Sequence, residues 1–579
     1  MQENQTASEP GLDFDLVVPK QLVTALVLGA IPAFLAWFLD EKALQTWDLP
    51  IAGCVLLLGL LFVFTTKPKP LRNIPWKWAL LIAAVPPGVA MFALDGPVTN
   101  DERSYQLQAE LLIDGRISEP IPHVAPSAVP PGSTVHPQMD AALMDVFRRR
   151  QVYEDPATDR RFSKYAPGTA LGLTLGALFG MPLLSTLLAA MLDLWLIRLI
   201  ARQLRLRAPG LAVLVLGTSP FFLLMHTSMQ SEVFTMPAFL AAYLALLKVR
   251  DGHLRWAVAI GAASGWVFLT RPLTGLLLAL CCGIVLILHA QRLRTLPLAM
   301  LGGLPFLVFS MLWNQELTGS YFTPVYSLYA DKYGPFFPGP ERVPQDVYGN
   351  GDLFAGLLRQ SGRWAVAFGG MLGAIGLAFW GTWRMRKRDG GAAILLATLI
   401  PVAYSLHWYA GHRAYLGPLY AGETLALLCL GLLLLLEQAP VAWRRGLVLA
   451  MISCGGVCFT ARWDLIQRES FDRSGPQRVA AAEAEPGVGA IVFLPTKFDG
   501  SKEKAFKYWT PSRPEDLAGT DPIILRTTRR MTPQLITQLL GLEGRRLYGF
   551  VPDAELPLGG MLQDLELNPA PVPEEQPSH

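Results

Sequence analysis

Charge is scarce in this chain. Asp, Glu, Lys and Arg make up only 16% of its 579 residues, where a soluble domain carries about a quarter. The deficit leaves long stretches without any charge and excludes an ordinary water-soluble globule. The net charge of +3 is too small for the electrostatic footprint of a nucleic-acid binder. Cysteine is also sparse. All six (Cys54, Cys281, Cys282, Cys429, Cys454 and Cys458) lie in apolar segments. That placement indicates no disulfide framework, and they read as small buried hydrophobes. Residues 1–20 are acidic and lack the basic start of a signal peptide, so the first apolar run is expected to be a retained transmembrane helix.

Apolar residues fill the space: 52% of the chain is hydrophobic and its mean hydropathy is +0.34. A bilayer core needs about 20 apolar residues per helix. Runs near 21–39, 51–66, 76–94, 184–201, 209–226, 232–249, 254–270, 272–290, 296–313, 364–384, 391–409, 417–436 and 444–460 predict thirteen spans. The expected fold class is an all-α polytopic membrane protein with a small α/β extracytoplasmic domain at its C-terminal end.

Basic residues set the orientation. They cluster in alternate loops: Lys67, Lys69, Arg72 and Lys77; Arg198, Arg202, Arg205 and Arg207; Lys248, Arg250 and Arg255; Arg292 and Arg294; Arg384, Arg386, Lys387 and Arg388; Arg444 and Arg445. Placing these in the cytoplasm puts residues 1–20 inside and, after an odd number of spans, the C-terminal region outside. A span at 166–182 would invert every later loop, so that run is expected to be an interfacial or re-entrant helix on the outer side. The membrane domain then covers 21–460, with long external loops at 95–183 and 314–362, the second holding a Tyr/Pro/Gly cluster over 321–339. Strand-like runs at 489–494, 522–525 and 546–551 and a helical stretch at 531–540 predict an α/β domain over 461–568. The Pro/Glu/Ser composition of 569–579 reads as disorder.

Three polar elements stand out against this background. The first is Asn100-Asp101-Glu102-Arg103-Ser104-Tyr105. Helical spacing from Tyr105 onward puts Asn100 or Asp101 near an N-cap. Carboxylates at the mouth of a membrane-embedded cavity suit proton chemistry, but acidic residues are also favoured at helix starts by capping and the macrodipole. The second is Arg161-Phe162-Ser163-Lys164-Tyr165-Ala166-Pro167-Gly168. Lys164 can meet a phosphate as a point charge; Lys and Tyr are equally common as interfacial anchors. The third is a set of polar groups at external helix ends: His226, Gln230 and Glu232; Arg271; His407, Tyr409, His412 and Arg413; with Tyr420 and Glu423 inside the next helix. Such groups are costly near a membrane and usually face a cavity. Arg271, between two apolar helices, needs an anion, either a lipid phosphate or Glu232. Together these groups suit an anionic lipid-linked substrate, with cations on the phosphate and a carboxylate on the attacking hydroxyl.

These motifs, in this order, resemble the GT-C superfamily of membrane glycosyltransferases, and within it bacterial members akin to the protein mannosyltransferases and the lipid A aminoarabinose transferases. The resemblance rests on Asp101-Glu102 with Tyr105 and Gln108-Ala109; Lys164-Tyr165-Ala166-Pro167-Gly168; Ser219-Pro220-Phe221; Leu269-Thr270-Arg271-Pro272; Asn314 with Thr318-Gly319-Ser320; and Gly417-Pro418-Leu419-Tyr420 with Glu423. It implies inverting transfer of a sugar from a polyprenyl-phosphate donor to a hydroxyl of a lipid, protein or glycan, on the periplasmic face of a bacterial inner membrane. Asp101 would be the general base, and Glu102 would position the acceptor or bind a divalent metal. Lys164, Arg271 and Arg413 would stabilise the leaving phosphate, and Tyr105, Tyr165, Glu232, His412, Tyr420 and Glu423 would complete the substrate site. The chain departs from the family pattern at Ala166, which fills a usual proline slot, and at Leu419, which replaces a cation that His412 or Arg413 would have to supply. Three helices precede the catalytic loop where one is usual. Three other functions remain open at this level: a lipid-linked glycan flippase, a glycan ligase and a non-catalytic scaffold.

Overall fold

A bilayer leaves backbone amides no water to bond, so uncharged stretches that enter it close their hydrogen bonds within helices. The computed structural model describes residues 76–94, 98–121, 152–155, 157–288, 292–333, 372–405 and 419–439, four strands between 490 and 564, and a few isolated positions. In chain order the helices are α1 (Trp76–Ala93), α2 (Asn100–Ile113), α3 (Gly168–Ala177), α4 (Pro182–Gln203), α5 (Pro209–Gly217), α6 (Pro220–His226), α7 (Ser231–Arg250), α8 (Trp256–Thr270), α9 (Pro272–Ile287), α10 (Arg292–Thr318), α11 (Val325–Tyr333), α12 (Leu372–Asp389) and α13 (Ala392–Ser405). A 3-10 helix, Leu419–Thr424, then leads into α14 (Leu425–Gln438). The strands are β1 (Glu119–Pro120), β2 (Val152–Asp155), β3 (Arg160–Ser163), β4 (Ala490–Leu494), β5 (Ile523–Arg526), β6 (Arg546–Pro552) and β7 (Gly560–Asp564).

Among the described residues, four helices are long and apolar enough to cross a membrane: Pro182–Gln203, Ser231–Arg250, Leu293–Thr318 and Tyr420–Gln438. The expected run 209–226 is not one straight helix. Pro220 has no amide to continue α5, and the Ser219 hydroxyl accepts from the Phe222 amide at 3.2 Å to start α6. The two halves bend by 66°, and counted together they make a fifth candidate span. The run expected to be interfacial forms α3, only ten residues long. Helix α10 exposes Leu293, Met300, Leu301 and Leu304, a surface suited to lipid tails. The expected spans at 21–39 and 51–66 lie outside the described residues, and of 444–460 only Val448 is described, in a helix.

The chain divides into two compact units. One comprises Met1–Ala83, Leu194–Phe222 and Gln345–Cys458; the other comprises Ala84–Asp193, Leu223–Pro344 and Phe459–His579. In the second unit α8 and α10 cross with their backbones nearly touching, because Gly261 leaves no Cβ to strike the Ala299 carbonyl, a close approach typical of membrane helices. A small antiparallel sheet of order β1-β3-β2 sits in the first long loop, with Phe162 opposite Tyr153 and Arg161 opposite both Glu119 and Glu154. The C-terminal strands form a second sheet of order β5-β4-β6-β7, with β4 parallel to both neighbours and β7 antiparallel to β6. The first three of these strands fall on the strand-like runs of the sequence; of the helix expected at 531–540 only Gln534 and Thr537 are described, both helical, and the tail 569–579 lies outside the described residues.

Candidate functional site

Helix α2 begins at Asn100, so Asn100 and Asp101 lie beside its N-cap as the spacing predicts. The cap is Thr99, whose hydroxyl accepts from the Glu102 amide at 3.2 Å. Asp101 and Glu102 therefore occupy the first turn, where successive side chains point about 100° apart. They meet different surroundings. Asp101 is half-buried and accepts a hydrogen bond from the Tyr165 hydroxyl. Its charge is also felt by Lys164 and Tyr105.

Glu102, expected beside it as a second substrate or metal ligand, is fully buried. Its Oε2 accepts from the Val98 amide at 3.0 Å and the Met229 amide at 3.2 Å, and its Oε1 accepts from Gln230 Nε2 at 3.0 Å. Burial raises its carboxyl above the ordinary range, against the hydrogen bonds that pull it down. These three donors hold the carboxylate in place where a divalent metal was one expectation. Among the described residues no group of three or more His, Cys, Asp or Glu is placed to hold one.

Lys164 follows β3, which is riveted to α2. Ser104 and Ser163 share a 2.8 Å hydroxyl contact, and Gln108 accepts from the Ser163 amide at 3.2 Å while donating to the Ile117 carbonyl at 3.0 Å. A buried Arg161–Glu119 pair ties β3 to β1. The Lys164 ammonium lies among three tyrosine rings, 4.2 Å from the centroid of Tyr329, 4.8 Å from Tyr165 and 5.2 Å from Tyr326, within cation–π range. Burial lowers its pKa to about 8, and the nearby Asp101 charge resists that fall. Tyr105 packs on Tyr165 with ring centroids 4.7 Å apart. Burial, with the charges of Asp101 and Glu232, keeps its hydroxyl well above the usual tyrosine range, while a hydrogen bond with Ser231 and the Arg271 charge act the other way.

Arg271 stands at the junction of α8 and α9, in extended backbone before Pro272. It pairs with Glu232 at 3.3 Å, both side chains buried, so the intramolecular anion considered for it is present; the Ser231 hydroxyl donates to the same carboxylate at 3.2 Å. Gly168 brings the Lys164 segment against this junction, since a Cβ there would collide with the Thr270 hydroxyl and backbone.

Seven of the residues expected at the site thus gather in one unit: Asp101, Glu102, Tyr105, Lys164, Tyr165, Glu232 and Arg271. Tyr420 and Glu423 belong to the other unit, where Tyr420 stacks on Tyr404 with centroids 5.2 Å apart and Glu423 is buried. His412 and Arg413 lie outside the described residues. His226 pairs instead with Asp193, Nε2 to Oδ2 at 3.1 Å, both fully buried. Tyr326 and Tyr329 were not selected from sequence. Their signal was the tyrosine cluster of the second long loop, whose i, i+3 spacing puts both rings on one face of α11.

No protein-family model and no curated protein matches the chain. Among solved structures it is similar to ArnT from Cupriavidus metallidurans in the apo state, at 14% identity and a TM-score of 0.45 over 82% of this chain and 85% of that one. The same protein bound to undecaprenyl phosphate matches at 14% identity and a TM-score of 0.44, over 84% and 87% of the two chains. The arabinofuranosyltransferase AftD from Mycobacteria matches at 15% identity and a TM-score of 0.41, covering 74% of this chain and 30% of its own.

Proposed function

We propose that this chain is an integral membrane glycosyltransferase that moves a sugar from a polyprenyl-phosphate donor to an acceptor hydroxyl, with inversion, on the extracytoplasmic face of a bacterial inner membrane. The observation that carries this reading is the convergence of one half-buried carboxylate, Asp101, with two buried cations, Lys164 and Arg271, beside a tyrosine cluster. Asp101 takes the proton of the acceptor hydroxyl as its oxygen bonds to the anomeric carbon. The bond from that carbon to the phosphate oxygen breaks in the same step, so the configuration inverts. The departing lipid phosphate gains a negative charge, which Lys164 and Arg271 stabilise where it develops. The Tyr165 hydroxyl orients the Asp101 carboxylate, and Glu232 holds the Arg271 side chain. A lipid, protein or glycan hydroxyl would serve as acceptor.

The test uses a panel of radiolabelled short-chain polyprenyl-phosphate pentoses and hexoses as donors, with membranes of cells lacking the protein as acceptor. Loss of a general base removes about 10²–10⁴-fold in rate, so folded Asp101→Asn should transfer almost no label. Transfer at the unmodified rate would refute the assignment.

A further inference from the structure

We propose that Glu102 is a positioning residue: a buried latch that ties the catalytic helix α2 to the turn between α6 and α7 and thereby sets where Asp101 points. This rests on the reading of Asp101 as the base. Glu102 bridges two segments far apart in sequence, accepting from Val98 on its own side and from Met229 and Gln230 across the gap. Gln230 Nε2 also donates to the Thr99 hydroxyl at 2.6 Å, the group that caps α2. Cap and latch are therefore one network, and the first helical turn cannot rotate without breaking several buried hydrogen bonds.

The far side of the latch continues straight into the site. After Met229 and Gln230 come Ser231, which hydrogen-bonds Tyr105, and Glu232, which pairs with Arg271. One four-residue stretch thus holds the helix that carries the base and also the cation assigned to the leaving phosphate. Glu102 fixes the separation between them. Its neighbour Asp101 acts on the substrate; Glu102 acts through Asp101.

A swap of donor and acceptor tests this. Glu102→Gln places an amide N–H against Gln230 Nε2, donor to donor. Adding Gln230→Glu restores an acceptor there, while the remaining oxygen of residue 102 still serves the two backbone amides. In the label-transfer assay above, Glu102→Gln should lower kcat by about 100-fold, the penalty of a misplacement near 1 Å. The donor KM and the membrane concentration giving half-maximal rate should stay within about twofold of the unmodified protein. The double variant should recover kcat to within about tenfold of the unmodified protein, and should recover the melting temperature in detergent as well. Recovery of melting temperature without kcat, or of neither, overturns the proposal. So does a Glu102→Gln defect confined to half-saturation by the acceptor membranes, which would mean direct contact. If Glu102→Gln does not accumulate, Gln230→Ala probes the same joint: kcat about tenfold lower with KM unchanged supports the latch, and unchanged kcat overturns it. Asp101→Asn run in parallel separates the two readings, since full transfer by that variant refutes the base assignment whatever Glu102 does.

Discussion

Lys164 shows how surroundings convert an ordinary side chain into a tuned one. Its ammonium is nearly excluded from water and faces the π-clouds of Tyr165, Tyr326 and Tyr329. The rings return part of the lost solvation, yet burial still lowers the pKa from 10.5 to about 8. A residue proposed to hold phosphate thus loses its charge near the upper edge of physiological pH. In the free protein the donor KM should rise as pH passes about 8. Lys164→Arg, charged throughout, should flatten that rise, though its wider fork fits the tyrosines less well and raises the KM at neutral pH. Initial rates against donor concentration from pH 6.5 to 9.5 check both statements. Stability responds in the opposite sense. Between about 8 and 10.5 the unfolded chain binds more protons at this position than the folded one, so the Lys164 contribution to stability rises with pH across that window. Lys164 itself was legible in the sequence as a cation beside an external helix. Tyr326 and Tyr329 were not, because they lie more than 160 residues downstream and only the folded chain brings their rings to the ammonium.

Helix α3 shows what an element contributes that its residues alone do not. Its sequence reads as a short apolar helix before α4, and the charge pattern keeps it from being a span. What the pattern cannot show is how tightly its first turn packs against the α8–α9 junction. Gly168 makes that contact possible. Gly168→Ala would drive a methyl group into Thr270 and push Lys164 away from Arg271. The backbone there is not left-handed, so the effect is steric. We expect a loss of about 1–3 kcal/mol in stability, as for other overpacked sites, with a several-fold rise in donor KM. Thermal melts in detergent and donor titrations measure these. Gly283→Ala in α9 is the control: nothing lies within 4 Å of the added carbon, so it should be neutral or slightly stabilising. The same limit of local pattern explains why 209–226 reads as one span when Ser219-Pro220 marks a 66° bend within it.

At the scale of the molecule, hydropathy finds apolar helices well and their grouping not at all. Each compact unit is assembled from three separate stretches of chain. Among the described residues the division falls inside α1, α4 and α6, in the middle of apolar helices, where no composition shift marks it, because packing and not sequence order defines it. The gathering of Asp101, Lys164 and Arg271 is likewise a property of the folded second unit. It also bears on the rival function. A flippase needs its polar groups along a path near the bilayer midplane, whereas Asp101 lies in the first turn of α2, Lys164 directly after β3, and Arg271 at a helix junction. Transfer and transport therefore predict different fates for the lipid-linked sugar when this protein is removed. A transferase consumes the lipid after it has reached the outer leaflet; without the enzyme the lipid should accumulate there, and one envelope glycan should lose a sugar. A flippase carries the lipid across, so its removal should trap the lipid in the inner leaflet. Leaflet-resolved mass spectrometry of polyprenyl-phosphate sugars, together with envelope glycan profiling, separates the two. Accumulation on the inner leaflet would exclude transferase activity as the main role of the chain, even if Asp101→Asn reproduced the phenotype of removal, because loss of a carboxylate required for carriage would give that result as well.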